Sequence, residues 1–208
     1  MKIDNIKPGE IEKRSFEIIE SELQREGIIL PSKYEHIIKR CIHTSADFDY
    51  AKTMYFAKDA VEGIVEAIRN GGTIVTDTKM AKSGINKKKL EEYGARVECY
   101  IGDEDVATEA KERGVTRSYV SMEKAASLKG PVVFAIGNAP TALFSIVELF
   151  KEKKIKPAGV IGVPVGFVNV VESKEVLIDS GLPVIVNRGR KGGSNIAACI
   201  VNAILYNQ

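Results

Sequence analysis

Residues 131–141 read Pro131-Val132-Val133-Phe134-Ala135-Ile136-Gly137-Asn138-Ala139-Pro140-Thr141. The first seven are nearly all apolar. The run ends in glycine, turns polar, and feeds an apolar helix predicted over 142–151. A strand that is apolar on both alternating faces belongs in a parallel sheet covered on both sides. The same arrangement repeats outward. Downstream, a strand over 158–163 ends at Pro164-Val165-Gly166, and a helix over 169–179 leads to a strand over 183–187. Arg188-Gly189-Arg190-Lys191-Gly192-Gly193-Ser194 follows, then a last helix over 195–206.

Upstream, Thr73-Ile74-Val75-Thr76-Asp77 is the first strand of the series. A polar loop, a helix over 87–93 and a second strand over 96–101 come next, with helices over 104–113 and 117–128 before the central strand. Five strands alternating with helices predict an α/β, doubly wound, flavodoxin-like parallel five-stranded sheet with helices on both faces. The first seventy residues show helical periodicity only, over 8–26, from about 31 onward around His43, and over 57–70. They predict an N-terminal helical extension with no strand. The expectation is one domain over 1–208, with 1–70 as the extension and 71–208 as the α/β core.

Composition excludes several classes. Thirty basic residues stand against 28 acidic ones, a net charge of +2 that gives no reason to invoke nucleic acid or a membrane surface. No run approaches the length of a membrane span, and the N-terminus lacks an apolar signal core. Cys41, Cys99 and Cys199 are far apart and predict reduced, mostly buried thiols in a cytoplasmic protein. With two histidines and no Cys/His cluster, no protein-built metal site is expected. The absence of tryptophan argues against a base-stacking surface.

In an open parallel sheet the ligand sits outside the carboxyl ends of the strands, near the point where strand order reverses. Asp77, Gly137 to Thr141, Pro164 to Phe167 and Arg188 to Ser194 occupy those ends. Arg188 to Ser194 holds three cations and three glycines before a helix, which suits an anion. The alternative is a basic turn with Ser194 as N-cap. GxGxxG spacing is not met and no Walker A loop occurs, so a carboxylate set fits better than a nucleotide pyrophosphate.

Proton chemistry near neutrality points to histidine. Tyr34, Ile37, Ile38, Cys41 and Ile42 fall on one helical face, and His43 lies on the other, with His36 and Arg40. It is either a solvated surface histidine or an outward-facing proton carrier. In the first helix Ile11, Ile18, Ile19 and Leu23 form the apolar stripe. Ser15 lies within that stripe, either bonded to its own backbone or aimed into a pocket. Arg14 is beside it.

Several segments together resemble the precorrin-8X methylmutase family of corrinoid biosynthesis. They are Glu12-Lys13-Arg14-Ser15-Phe16, Ile42-His43, Thr116-Arg117-Ser118, residues 135–144 (AIGNAPTALF), Pro164-Val165-Gly166-Phe167-Val168, Glu172-Ser173-Lys174, and Arg188-Gly189-Arg190 with Gly192-Gly193-Ser194. They span nearly the whole chain in order. The resemblance implies a homodimer with a site built partly at the subunit interface. It implies an isomerase that moves a methyl group from C-11 to C-12 of a tetrapyrrole, (cobalt-)precorrin-8, giving hydrogenobyrinate or cobyrinate. No dissociable cofactor and no redox change are implied.

In that family the position matching His43 is taken as the acid/base residue. The substrate rim carries carboxylates, for which Arg14, Arg40, Arg117, Arg188 and Arg190 are natural partners. Backbone N–H groups at Asn138, Ala139 and Thr141, beside Pro140, and at Gly192, Gly193 and Ser194 are expected to help. Ser15 and Gly166 are expected at the substrate, and Asp77 either orients a donor or caps its turn. Whether the substrate already holds cobalt is open, since the macrocycle itself binds the metal. Two other readings stand beside this one: a corrinoid-binding carrier without catalysis, and a nucleotide-dependent enzyme on a flavodoxin-like fold.

Overall fold

The computed structural model describes residues 6–57 and 59–207. A single turn of 3-10 helix, Pro8–Glu10, leads into α1 (Ile11–Arg25), then α2 (Glu35–Ser45), α3 (Tyr50–Thr53), β1 (Met54–Phe56) and α4 (Ala60–Arg69). The α/β series follows as β2 (Thr73–Thr76), α5 (Lys79–Gly84), α6 (Lys87–Glu91), β3 (Arg96–Glu98), α7 (Glu104–Arg113), α8 (Arg117–Ala125) and β4 (Val132–Ile136). It ends with α9 (Pro140–Lys151), β5 (Gly159–Gly162), α10 (Val170–Ile178), β6 (Val184–Asn187) and α11 (Ser194–Tyr206).

The sheet order is β1-β6-β5-β4-β2-β3. The five expected strands are all parallel, in the flavodoxin-like order, with β2 and β4 adjacent at the reversal point. A sixth strand corrects the expectation. β1 pairs antiparallel with β6, Met54 opposite Asn187 and Phe56 opposite Ile185. It lies inside the stretch expected to be wholly helical. Three residues are too few to show a period of two, so sequence alone does not reveal it.

Side-chain alternation along β4 explains its all-apolar sequence. Val133 and Ala135 join the core under α1, α2, α4 and α11, with Ile74, Ile161 and Ile185. Phe134 and Ile136 join the opposite core under α8, α9 and α10, with Val75, Val160 and Val184. Each fully buried large apolar side chain contributes roughly 1.5–3 kcal/mol, and β4 supplies them to both layers.

Other boundaries shift for local reasons. The expected polar loop after β2 contains α5, capped by Thr78, whose Oγ1 accepts from Ala81 N at 3.0 Å. The helix of His43 begins at Glu35 because residues 31–34 close a turn, Tyr34 N to Pro31 O at 2.9 Å. α4 starts at Ala60, after Asp59 in the left-handed region at φ 62°. Only half of the expected α1 stripe is covered: Ile19 and Leu23 are buried, while Ile11 and Ile18 are exposed at 54% and 41%.

Candidate active site

The carboxyl ends of β2, β4, β5 and β6 carry four loops that are knitted together. Asp77 follows β2 and is 1% exposed. Its carboxylate accepts from the N–H groups of Gly137 (2.9 Å), Asn138 (2.8 Å) and Ala139 (2.7 Å). Burial pushes this carboxyl upward from its ordinary pKa, and the backbone donors oppose that. Asp77 thus holds the loop after β4. This arrangement corrects an expectation. The N–H groups of Asn138 and Ala139 are turned inward to Asp77, and Pro140 has no N–H, so these backbones do not face a ligand. The Asn138 side chain is exposed, and Thr141 Oγ1 lies 2.7 Å from Thr116 Oγ1. Thr116 caps α8 by accepting from Tyr119 N, which sets the exposed Arg117 beside the loop after β4.

The loop after β6 packs as tightly. Gly193 N donates to Val163 O at 2.9 Å, and Gly166 N to Arg190 O at 3.2 Å. A Cβ on Gly192 would stand 2.1 Å from Val163 O, and one on Gly137 2.6 Å from Ser194 Cα, so both positions need glycine. Ser194 is not an N-cap. Gly193 is, at φ 134°, and Ser194 Oγ lies 2.8 Å from Thr78 Oγ1. Arg188 pairs with Glu175 (2.5 Å) and lies over the Tyr55 ring (5.4 Å). Arg190 lies 5.3 Å over Phe167, which is 80% exposed. Lys191 reaches Asp47 and Asp49, each at 2.5 Å, an attraction that raises the lysine's pKa and lowers that of Asp47.

The second group sits where α1 crosses α2. His43 is exposed, and its imidazole stacks on Phe16 with ring centroids 5.2 Å apart. The Arg40 guanidinium lies 4.8 Å from the same ring and pairs with Glu12. Ser15 Oγ donates to Ile11 O at 2.9 Å, the backbone-bonded alternative of the two expected for it. Arg14 bonds Glu17 at 3.4 Å. A cleft of about 370 Å³ lies between α2, α5 and α11, lined by Arg40 and Thr44, Met80, and Asn195 and Cys199. A second cleft, about 520 Å³, shares Arg40 and adds Phe16 and His36. Burial lowers the pKa of His36.

Thr78 follows Asp77 at the end of the first expected strand, whereas Phe16, Asn195, Asp47 and Asp49 were not singled out by sequence as site residues. Only Phe16 carried a signal, as the end of the Glu12 to Phe16 segment. Among the described residues no group of His, Cys, Asp and Glu is disposed to hold a metal ion, and no helix is long and apolar enough to cross a membrane.

Known proteins resemble this chain over most of its length. Residues 10–207 match the precorrin-8X methylmutase family profile. The cobalt-precorrin-8 methylmutase of Salmonella typhimurium is 45% identical over 203 residues, 96% of this chain and 95% of that protein. The cobalt-precorrin-8 methylmutase of Priestia megaterium is 44% identical over 199 residues, 96% and 88% of the two chains. The precorrin-8X methylmutase of Pseudomonas aeruginosa is 40% identical, covering 97% of each. The crystal structure of the Thermus thermophilus precorrin-8x methyl mutase superposes with a TM-score of 0.84 at 34% identity, over 94% of each chain. The chain belongs to the precorrin-8X methylmutase family, whose members are isomerases of cobalamin biosynthesis.

Proposed function

We propose that this isomerase moves the C-11 methyl group of precorrin-8, metal-free or cobalt-bearing, to C-12, with His43 as acid and base. The observation that carries the reading is His43 itself, exposed on α2 yet held face to face with Phe16, one residue from Thr44 and three from Arg40, which both line the cleft. A methyl shift around a conjugated ring needs no nucleophile and no electron carrier. It needs a proton placed on a ring nitrogen, so that the carbon receiving the methyl becomes electrophilic, and that proton taken back afterwards. Imidazole exchanges protons near neutrality and serves in both directions.

The remaining residues bind. Arg117, Arg188 and Arg190 are exposed at the strand ends, and Arg40 lines the cleft; guanidinium groups suit the substrate's peripheral carboxylates. Arg14 and the Ser15 hydroxyl, which has spare acceptor capacity, belong to the same rim. Gly166, Gly192, Gly193 and Ser194 shape the loops, Asn138 and Thr141 present side chains, and Asp77 acts through the loop that it holds. The ligand is a small anionic tetrapyrrole handled in the cytoplasm, not a nucleic acid or a lipid.

The enzyme works as a homodimer. Ile11 and Ile18, seven residues apart on α1, leave an uncovered apolar face on the element that carries Phe16, and Ile29 in the turn after it is 93% exposed. A monomeric mass in solution at full activity would contradict the dimer.

The test is anaerobic incubation with substrate carrying ¹³C in the migrating methyl, followed by NMR and by the visible spectrum. The label is expected at C-12, with the absorbance of the fully rearranged product. Substrate recovered unchanged after binding would sink the reading.

A further inference from the structure

Lys174, on α10, is 0% exposed. Its ammonium donates to the carbonyls of Gly189 (2.7 Å) and Lys191 (2.9 Å). Asn187 Nδ2 donates to the same Lys191 carbonyl at 2.9 Å. The next residue on the helix, Glu175, pairs with Arg188. Two successive residues of α10 therefore grip the loop after β6, one by its backbone and one by its arginine. Burial brings the pKa of Lys174 down to about 8, a mark of how far the ammonium is withdrawn from water. A buried cation whose hydrogen bonds go to carbonyl groups, with the Glu175 charge offsetting only part of the burial, is costly, and a packed apolar side chain would serve stability at least as well.

The orientation of the peptide groups supplies a reason for the cation. In a trans peptide C=O and N–H point in opposite directions. With the oxygens of Gly189 and Lys191 drawn inward to Lys174, the N–H groups of Arg190 and Gly192 point away from it. Reversed, the same peptides would turn partial negative charge toward an anionic ligand. We propose that Lys174 is the positioning residue of the arginine loop: it draws the loop's carbonyl oxygens inward so that Arg188, Arg190 and the outward N–H groups receive a substrate carboxylate. This rests on the reading of the loop as a carboxylate site. Lys191, clamped to Asp47 and Asp49 a few residues beyond His43, ties the loop to the helix of the proposed acid/base residue.

A double-mutant cycle on the full chain tests this, read as the dissociation constant of hydrogenobyrinate by absorbance titration. Lys174→Met and Arg190→Ala are each expected to weaken binding about tenfold. The double variant should lose less than about thirtyfold, because both act through one loop. In turnover, K174M should raise KM by a similar factor and leave kcat within about threefold, and Lys174→Arg should restore most of the affinity. Unchanged binding by K174M, or a full hundredfold loss in the double variant, overturns the proposal. Wild-type binding by R190A overturns the carboxylate-loop reading itself, and the proposal with it. Should K174M not fold, Lys174→Gln, which keeps a donor without charge, replaces it in the cycle with the same expectations.

Discussion

The imidazole of His43 lies face to face with the ring of Phe16, centroids 5.2 Å apart and planes inclined by 21°. An exposed histidine at the end of a helix is ordinarily free to change rotamer. Here α1 crosses α2 so that Phe16 restrains it, while Arg40 approaches the same ring. Aromatic pairs of this geometry are worth about 0.5–1.5 kcal/mol. Phe16→Leu is therefore expected to lower kcat roughly three- to tenfold, with KM little changed. Steady-state kinetics check this, and an unchanged kcat would show that the stack does not orient the imidazole.

Asp77 bears on stability through the loop after β4. Asparagine in its place turns an amide N–H toward backbone N–H groups that now meet a carboxylate. Loss of a buried, charge-assisted network of this kind costs about 3 kcal/mol, so the melting temperature of D77N should fall by roughly 6–12 °C. A thermal melt within a degree or two of wild type would contradict the buried network.

Gly189 and Gly192 both have positive φ, yet they predict different outcomes. Alanine at Gly189 (φ 76°) meets nothing within 4 Å, whereas alanine at Gly192 (φ 157°) would set a Cβ 2.1 Å from the Val163 carbonyl. G189A should cost only backbone strain, about 1–2 kcal/mol. G192A should push the arginine loop off the end of β5 and raise KM by about tenfold or more. Equal effects of the two substitutions on KM would show that the contact with Val163 does not set the loop.

Cys199 predicts a pH dependence. Its thiol is brought down from 9.0 to about 7, chiefly by the Cys41 thiol and also by the Thr44 hydroxyl (3.1 Å) and the Arg40 charge. A lowered pKa means that the reactive thiolate fills in as pH rises through about 7. The rate of iodoacetamide labelling at Cys199, followed by peptide mass, should climb between pH 6 and 8 and level off above about 8.5. Thr44→Val should move that rise to higher pH. A rate still climbing steeply past pH 9 would contradict the assignment.

Much of this was legible in the sequence for physical reasons. Val132 to Ile136 is apolar because both of its faces are buried, and such runs announce a parallel sheet by themselves. The strand ends carried glycine and charge that burial does not explain, and the loops of Asp77, Gly137 to Thr141 and Arg188 to Ser194 pack together there. What was not legible came from contacts across the chain. Met54 to Phe56 became a strand because β6 offered an open edge. Ser15 shows its hydroxyl bonded to Ile11, a choice that sequence left open. Periodicity placed His43 opposite the packing face of α2, but only the crossing of α1 over α2 brings Phe16 against it. The N–H groups after β4 were expected to face a ligand, and Asp77, sixty residues earlier, claims them instead.

The role proposed for His43 is to lend and recover the proton of the methyl shift. The most direct measurement is single-turnover conversion of the precorrin-8 substrate by His43→Ala, followed by visible absorbance, with hydrogenobyrinate affinity measured in parallel. Conversion is expected to slow by about 10²–10⁴-fold, with product binding within about threefold of wild type. Undiminished conversion by H43A would contradict that role.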